Sequence, residues 1–222
     1  MQYLPELFER NRAWAAGRLQ DDPHFFDRLC EIQQPDYLWI GCADSRVPAN
    51  EIVGLAPGEM FVHRNGANLV APGDTNCLAV VQYAIEVHGV RHVIVCGHYG
   101  CGGVRAVLER GAAAETPSHV ERWLTPLRDI ANARAGELMA IGDFAARWAR
   151  LCEINVIEQV GRLLATDVLI NARLKGIEVI VHGWIYDLRD GLLRDLGVTH
   201  GIGEETLRRL DATLRATIGG KP

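Results

Sequence analysis

Short apolar runs that stop abruptly at polar or glycine-containing loops dominate the pattern along this chain. The runs at 92–98 and 178–184 are nearly continuous in β-branched residues, which is typical of strands covered on both faces. Runs at 37–42 and 60–63 predict two more strands, and 192–198 predicts a short edge strand.

Helical periodicity fills the stretches between the strands. Asp74 or Thr75 can cap a helix that ends near His88. The other predicted helices cover 48–53, 102–110, 119–134, 142–173 and 204–217. Strands that alternate with helices predict an α/β fold, with a mainly parallel central sheet flanked by helices and an antiparallel strand at its edge.

An amphipathic helical arm is predicted over residues 1–30, ahead of the first strand. The pattern leaves open whether this arm covers its own sheet or wraps a partner. Because the chain has 222 residues and no linker or repeat, we expect a single domain over 1–222 that includes the arm.

The charge and the cysteines limit the partners and the compartment. A net charge of −5, with acids and bases interspersed, argues against nucleic-acid and anionic-membrane partners. No apolar run approaches the roughly 18 residues of a transmembrane helix, and the N-terminus does not resemble a secretory signal. Six widely spaced cysteines indicate reduced thiols, so we expect a cytoplasmic protein.

Two thiols and one imidazole lie where predicted strands end. Cys42 ends the first strand, His98 ends the third, and Cys101 follows in a glycine-rich turn. Ligands in open α/β sheets gather at the carboxyl ends of the strands, so these side chains are expected to meet. A Cys₂His set leaves one zinc position open, as catalytic zinc sites do. The remaining cysteines, at 30, 77, 96 and 152, are interpreted as packing residues, and an iron–sulfur cluster would need more ligands.

Two blocks carry a family resemblance: CADSRVPA at 42–49 and GHYGCGG at 97–103. Together they resemble the paired signature of β-class carbonic anhydrases. The resemblance implies reversible hydration of CO₂ to bicarbonate and a proton by a zinc-bound hydroxide, with Cys42, His98 and Cys101 as Zn²⁺ ligands. It also implies a dyad in which Arg46 grips Asp44, keeps it ionised and directs it at the hydroxide.

One subgroup of that family resembles this chain more closely than the family as a whole. Its members bind bicarbonate at a non-catalytic site, and the matching residues here are Trp39, Arg64 and Tyr186. Strand alternation places Trp39 on the face opposite Cys42, so this site would be separate from the zinc. The resemblance implies inhibition by bicarbonate and low pH, with Asp44 leaving its arginine to become the fourth zinc ligand. The alternative is that both aromatic residues simply cover the sheet.

The resemblance also implies a substrate contact and an assembly. Gln33 matches a glutamine that contacts substrate across a subunit boundary, and family members are homodimers or homotetramers embraced by the arm. Because two thiolates cancel the charge of zinc, its water should be less acidic than at a neutral three-histidine site, where the pKa is about 7. Activity should therefore rise into mildly alkaline pH.

Three other functions are alternatives to CO₂ hydration. A non-catalytic zinc- and bicarbonate-binding regulatory protein would keep Asp44 as a permanent fourth ligand. A zinc alcohol dehydrogenase also uses a Cys₂His set, but it would need a G-x-G-x-x-G turn after a strand. A zinc deaminase would need H-x-E with P-C-x-x-C. The chain has neither motif.

Overall fold

A six-stranded sheet forms the centre of the fold. The computed structural model describes residues 3–31, 33–109 and 118–201. The strands are β1 (Tyr37–Cys42), β2 (Met60–Asn65), β3 (His92–His98), β4 (Ile180–Asp187), β5 (Leu192–Asp195) and β6 (His200–Gly201). Their order is β2-β1-β3-β4-β5, and β6 also pairs with β4. The first four strands are parallel, while β5 and β6 run antiparallel to β4. The predicted α/β fold and its antiparallel edge strand are confirmed.

Most helices lie along the chain close to the predicted positions, and one of them, α8, was not predicted. The longer ones are α1 (Pro5–Asp21), α4 (Thr75–Gln82), α5 (Gly102–Glu109), α7 (Thr125–Ala133), α9 (Phe144–Leu164) and α10 (Asp167–Leu174). The shorter ones are α2 (Phe25–Cys30), α3 (Ala49–Val53), α6 (His119–Trp123) and α8 (Ala135–Ala140). The helix predicted at 204–217 lies outside the described residues.

Three helix predictions differ in detail. The predicted helix at 142–173 is two helices, because Thr166 accepts a hydrogen bond from the Leu169 amide and starts α10. The predicted helix at 119–134 breaks at Leu124, after which α7 begins with a proline in its first turn. The helix that Asp74 caps continues beyond α4 as one turn of π-helix over Tyr83–Val87.

The described chain forms two compact units that divide between Gln34 and Pro35. In the first unit, Trp14 of α1 makes edge-on ring contacts with Phe25 and Phe26 at α2. The second unit contains the sheet. That all of 1–222 is one domain stays a prediction.

The sheet has an apolar core on each face. Leu38, Ile40 and Val95 project toward the face that contacts helices α4, α9 and α10. Trp39, Ile94 and Cys96 project to the opposite face, where Ala49 of α3 contacts them. Among the described residues, no helix is both long and apolar enough to cross a membrane.

Candidate metal centre and reaction cavity

Two adjacent parallel strands and one turn bring the three predicted metal ligands together. Cys42 is the last residue of β1, and His98 is the last residue of its neighbour β3. Cys101 immediately precedes α5, in a turn where Gly100 has a left-handed φ of 74° that suits a residue without a Cβ. The ends of parallel strands therefore meet at one sheet edge, as the sequence predicted.

The distances between these side chains fit a metal. Their ligand atoms lie within 4.8 Å of one another, and all three residues are buried. The Sγ atoms of Cys42 and Cys101 are 3.9 Å apart. Two sulfur atoms bound tetrahedrally to one zinc ion at about 2.3 Å would be roughly 3.8 Å apart. The donor set, soft thiolates with an imidazole, also suits zinc.

His98 presents a defined nitrogen to this centre. Its Nδ1 lies 3.0 Å from the carbonyl oxygen of Tyr99. A carbonyl can only accept, so Nδ1 carries the hydrogen and Nε2 is the nitrogen free to bind a metal. Nε2 is buried and has no hydrogen-bond partner among the described residues. An unpartnered buried nitrogen aimed at two thiols is the arrangement that a metal would complete.

The two thiols contact each other closely enough to shift both of their pKa values. Their mutual contact is the largest influence on both: it lowers the pKa of Cys42 and, with burial, raises the pKa of Cys101. His98 lowers the pKa of Cys42 further. A divalent cation would displace any proton on these thiols and stabilise both thiolates.

Asp44 is held by Arg46 through three hydrogen bonds. The Arg46 Nε and Nη2 atoms donate to Oδ1 and Oδ2 at 2.9 and 2.7 Å, and the Arg46 backbone N–H donates to Oδ1 at 3.0 Å. These bonds hold the pKa of Asp44 well below its usual range. Asp44 Oδ2 lies 3.8 Å from His98 Nε2, so the carboxylate borders the centre while bonded to its arginine.

Arg64 supports the loop that carries these residues. Its Nε donates to the carbonyl oxygen of Cys42 at 2.8 Å, and its Nη2 donates to the carbonyl oxygen of Asp44. The sequence linked Arg64 to a bicarbonate site and missed this contact. Backbone carbonyls carry no side-chain signal, so no motif could have revealed it.

The other two residues of the predicted bicarbonate site lie on the face opposite Cys42. The Trp39 side chain is 0% exposed, and its Nε1 has no hydrogen-bond partner among the described residues. Its indole lies against Gly41, and a Cβ at that position would clash with Nε1. Tyr186 is partly buried and contacts the same cluster as Trp39.

A cavity of about 500 Å³ adjoins the centre. Cys42, Asp44 and Cys101 form one part of its wall. The remaining wall is mostly apolar and consists of Ala43, Gly66, Ala67, Gly102, Gly103, His119, Val120, Trp123 and Leu124. This space suits a small apolar substrate next to a metal. Gln33 is exposed and belongs to the first compact unit, so its predicted substrate contact stays a prediction.

Amide side chains of α9 fix a left-handed turn in the cavity wall. Ala67 and Asn68 have left-handed φ values of 65° and 49°, which are costly for alanine and better tolerated by asparagine. Asn155 Nδ2 donates to the Ala67 carbonyl at 2.9 Å. Gln159 accepts from the Val70 amide at 2.8 Å and donates to Asn155 at 2.9 Å. Neither amide was predicted as a functional residue from the sequence.

A second group of possible ligands is His63, Asp74 and Cys77. The His63 Nε2 atom already lies 3.2 Å from the Asn65 side-chain amide, which can only donate to it. Asp74 caps α4, and burial raises the pKa of the Cys77 thiol to about 12. These interactions fit a folded core better than a metal site.

Several known proteins that are similar to this chain are named carbonic anhydrases. The family model described as "Carbonic anhydrase" matches residues 37–193. The chain is 46% identical over 196 residues to a carbonic anhydrase of Emericella nidulans, covering 87% of this chain and 83% of that protein. It is 35% identical to a mitochondrial β carbonic anhydrase of Arabidopsis thaliana, over 85% of this chain and 66% of that one. Tetrameric β-carbonic anhydrases of Sordaria macrospora have a similar fold, with a TM-score of 0.81 and 38% identity over 88% of this chain and 97% of theirs.

Proposed function

The chain belongs to the carbonic anhydrase family, and we propose that it hydrates CO₂ reversibly at a zinc centre made by Cys42, His98 and Cys101. The observation that carries this proposal is the convergence of the three ligand atoms within 4.8 Å beside the cavity. Zinc, when bound, would supply a Lewis acid that lowers the pKa of a water molecule, so that the water loses a proton and can attack CO₂ as hydroxide.

Asp44 and Arg46 orient the attacking water in this proposal. Asp44 is kept ionised by its arginine, so it can only accept a hydrogen bond. A water that donates one hydrogen to Asp44 has its oxygen lone pair turned toward the cavity and the carbon of CO₂. The opposite role, Asp44 as a permanent metal ligand in a non-catalytic protein, is disfavoured because Arg46 binds both carboxylate oxygens.

The test combines metal analysis with stopped-flow CO₂ hydration. We expect one zinc per chain in the wild type, loss of zinc and activity in Cys42→Ser, and zinc without most of the activity in Asp44→Asn. Cys77→Ser is the matched control, since Cys77 is a buried cysteine of the second possible ligand group. Wild-type hydration rates in both Cys42→Ser and Asp44→Asn would refute the proposed centre.

We further propose that bicarbonate and low pH inhibit the enzyme through Trp39, Arg64 and Tyr186. The buried, unpartnered indole N–H of Trp39 supports this, because such a donor is costly unless an acceptor reaches it. An anion that accepts from Trp39 and draws Arg64 from its carbonyl partners would free the loop holding Asp44. Asp44 could then leave Arg46 and take the fourth metal position, which would block the reaction.

The regulatory proposal is tested with Trp39→Phe, which removes only the N–H donor and keeps an aromatic ring. We expect bicarbonate inhibition to weaken and activity to persist to lower pH. Trp184→Phe, on the same sheet face, is the control. Inhibition and pH profile equal to those of the wild type in Trp39→Phe would leave Trp39 without a regulatory role.

We also propose a homodimer or homotetramer in which the helical arm contacts a second copy. The arm's large apolar side chains, Leu7, Phe8 and Trp14, are substantially exposed within one chain, and the Sordaria enzymes are described as tetrameric. Light scattering of the full chain and of a chain lacking residues 1–34 tests this: an assembly that survives the deletion unchanged would contradict it. A cytoplasmic location stays our proposal, and cell fractionation would check it, since one relative is mitochondrial.

A further inference from the structure

A second cavity, of about 290 Å³, lies where β1, β3 and β4 end, and we call it the β4 cavity. Arg46 follows β1, Tyr99 follows β3, and Asp187 is the last residue of β4. Among the described residues, none lines both this cavity and the reaction cavity. Its volume is close to the lower limit of small-molecule sites, about 300 Å³, and ligands of open α/β sheets gather at this edge. The position and the size of the β4 cavity therefore suit a small ligand.

A second Asp–Arg pair, Asp187 and Arg189, forms part of this wall. The Arg189 Nε and Nη2 atoms donate to Oδ1 and Oδ2 at 3.0 and 2.8 Å, and the Arg189 amide donates to Oδ1 at 3.0 Å. The Asp44–Arg46 pair has the same three bonds. In both arginines, Nη1 has no hydrogen-bond acceptor among the described residues. Both arginines line the β4 cavity and are exposed to solvent, so each can offer a donor to a ligand that enters.

The charge of the wall favours a ligand with one negative charge. Among the described residues, the charged groups that line the β4 cavity are Arg46, Arg189 and Asp187, which leaves one positive charge in excess. Arg189 holds the pKa of Asp187 below its usual range, so this carboxylate stays ionised near neutral pH. A carboxylate ligand would balance the excess charge, whereas a phosphate group carries about −1.5 to −2 at pH 7. Guanidinium groups bind carboxylates through charge-assisted hydrogen bonds.

The rest of the wall favours a ligand with an apolar body. The other side chains that line it are mainly apolar: Ala145, Trp148, Ala149 and Leu188. Tyr99 adds its ring, because its hydroxyl already donates to Glu153 at 2.7 Å. An inorganic anion would leave these surfaces in contact with water, while an aromatic or aliphatic group would cover them.

We propose that the β4 cavity binds a small organic monocarboxylate, whose acid group accepts from Arg46 and Arg189 and whose apolar body lies against Trp148. None of the three residues of the proposed bicarbonate site lines this cavity. The ligand differs in class from the substrate and the product of the proposed reaction, and its binding requires neither a metal nor turnover. The proposal can therefore fail or hold whatever the outcome for CO₂ hydration.

Methyl NMR of the full chain, with benzoate as the probe, tests this binding. Benzoate should shift the methyl signals of Ala145 and Ala149 in a saturable way, and it should leave the methyl signal of Ala67, in the wall of the reaction cavity, unchanged. Benzamide keeps the ring but lacks the charge, and inorganic phosphate has charge but no ring. We expect each of them to bind about 10-fold more weakly than benzoate or less tightly still, because hydrogen bonds to charged groups and apolar burial both contribute.

The decisive variant is Arg189→Gln, which should weaken benzoate binding by about 10-fold, since it removes a charged donor that solvent partly screens. Arg194→Gln is the matched control: Arg194 lies 3.3 Å from the same Asp187 carboxylate but does not line the cavity, so its benzoate affinity should stay close to that of the wild type. Melting temperatures check that both variants fold. If Arg189→Gln does not fold, the comparison of benzoate with benzamide in the wild type decides.

Several outcomes would overturn the proposal. Equal affinities in the wild type and Arg189→Gln would place the anion elsewhere, and so would shifts confined to Ala67. Benzamide binding as tightly as benzoate would show that the arginines contribute nothing, and phosphate binding more tightly than benzoate would contradict the assigned ligand class.

Discussion

Replacing Arg64 with alanine should weaken zinc binding without unfolding the chain. Arg64 contributes nothing to the ligand set, but it bonds the carbonyls of Cys42 and Asp44 and so fixes the loop on which a ligand sits. In the variant this loop must be ordered at the moment the metal binds, which adds an entropic cost.

The size of the effect follows from the two bonds. A hydrogen bond from a charged donor contributes about 1.5–3 kcal/mol, and solvent screening reduces this for an exposed arginine such as Arg64. A combined loss of about 1.5–3 kcal/mol corresponds to roughly 10- to 100-fold in the zinc dissociation constant, the range seen when groups that support metal ligands are removed.

Competition with a chromophoric chelator at fixed pH measures this constant on protein stripped of metal and reloaded. Arg91→Ala is the matched control, because the Arg91 guanidinium also donates to two backbone carbonyls, those of Ile85 and Val90. We expect Arg91→Ala to alter only the unfolding free energy. Zinc affinity in Arg64→Ala within twofold of wild type, or an equal loss in both variants, would refute the reasoning.

Three further predictions concern stability. Gln159→Leu leaves the buried Val70 amide without its acceptor, so urea denaturation should give an unfolding free energy lower by about 1–3 kcal/mol; an unchanged value would show that the amide finds another partner. Gly97→Ala places a Cβ 2.6 Å from a valine methyl of α9, and overpacking should cost about 1–3 kcal/mol by the same assay. Because Arg46 lowers the pKa of Asp44, their pair stabilises the fold above about pH 4 and less as pH falls through the lower folded-state pKa. The difference in unfolding free energy between wild type and Arg46→Leu, measured by urea denaturation at several pH values, should therefore become smaller below pH 4. A difference that stays constant with pH would contradict this prediction.

The grouping of the three possible metal ligands was predictable from the sequence because topology determined it. Cys42 and His98 each end an apolar run, and the ends of parallel strands meet at one edge whatever the intervening helices do. The Asp44–Arg46 pair was also predictable from the sequence, since two residues in one short loop can meet without any long-range contact.

The supporting contacts were not predictable in this way. Arg64 acts on backbone carbonyls, and Gln159 reaches the Val70 amide from a helix far along the chain. Such contacts depend on strand register and helix rotation, which a single sequence does not specify. The break before α10 is different: Thr166 is a common N-cap residue, so its helix-start signal was present in the sequence.

The placement of the ligands on two strands has a consequence for how the protein matures. β1 and β3 must pair in the correct register before Cys42 and His98 can approach each other, and a slip of one residue would turn Cys42 to the wrong face of the sheet. At the proposed zinc centre, all three ligands would therefore be available to a metal only in chains whose strands are paired in register. Chains paired out of register would lack the three-ligand site and would hold zinc more weakly.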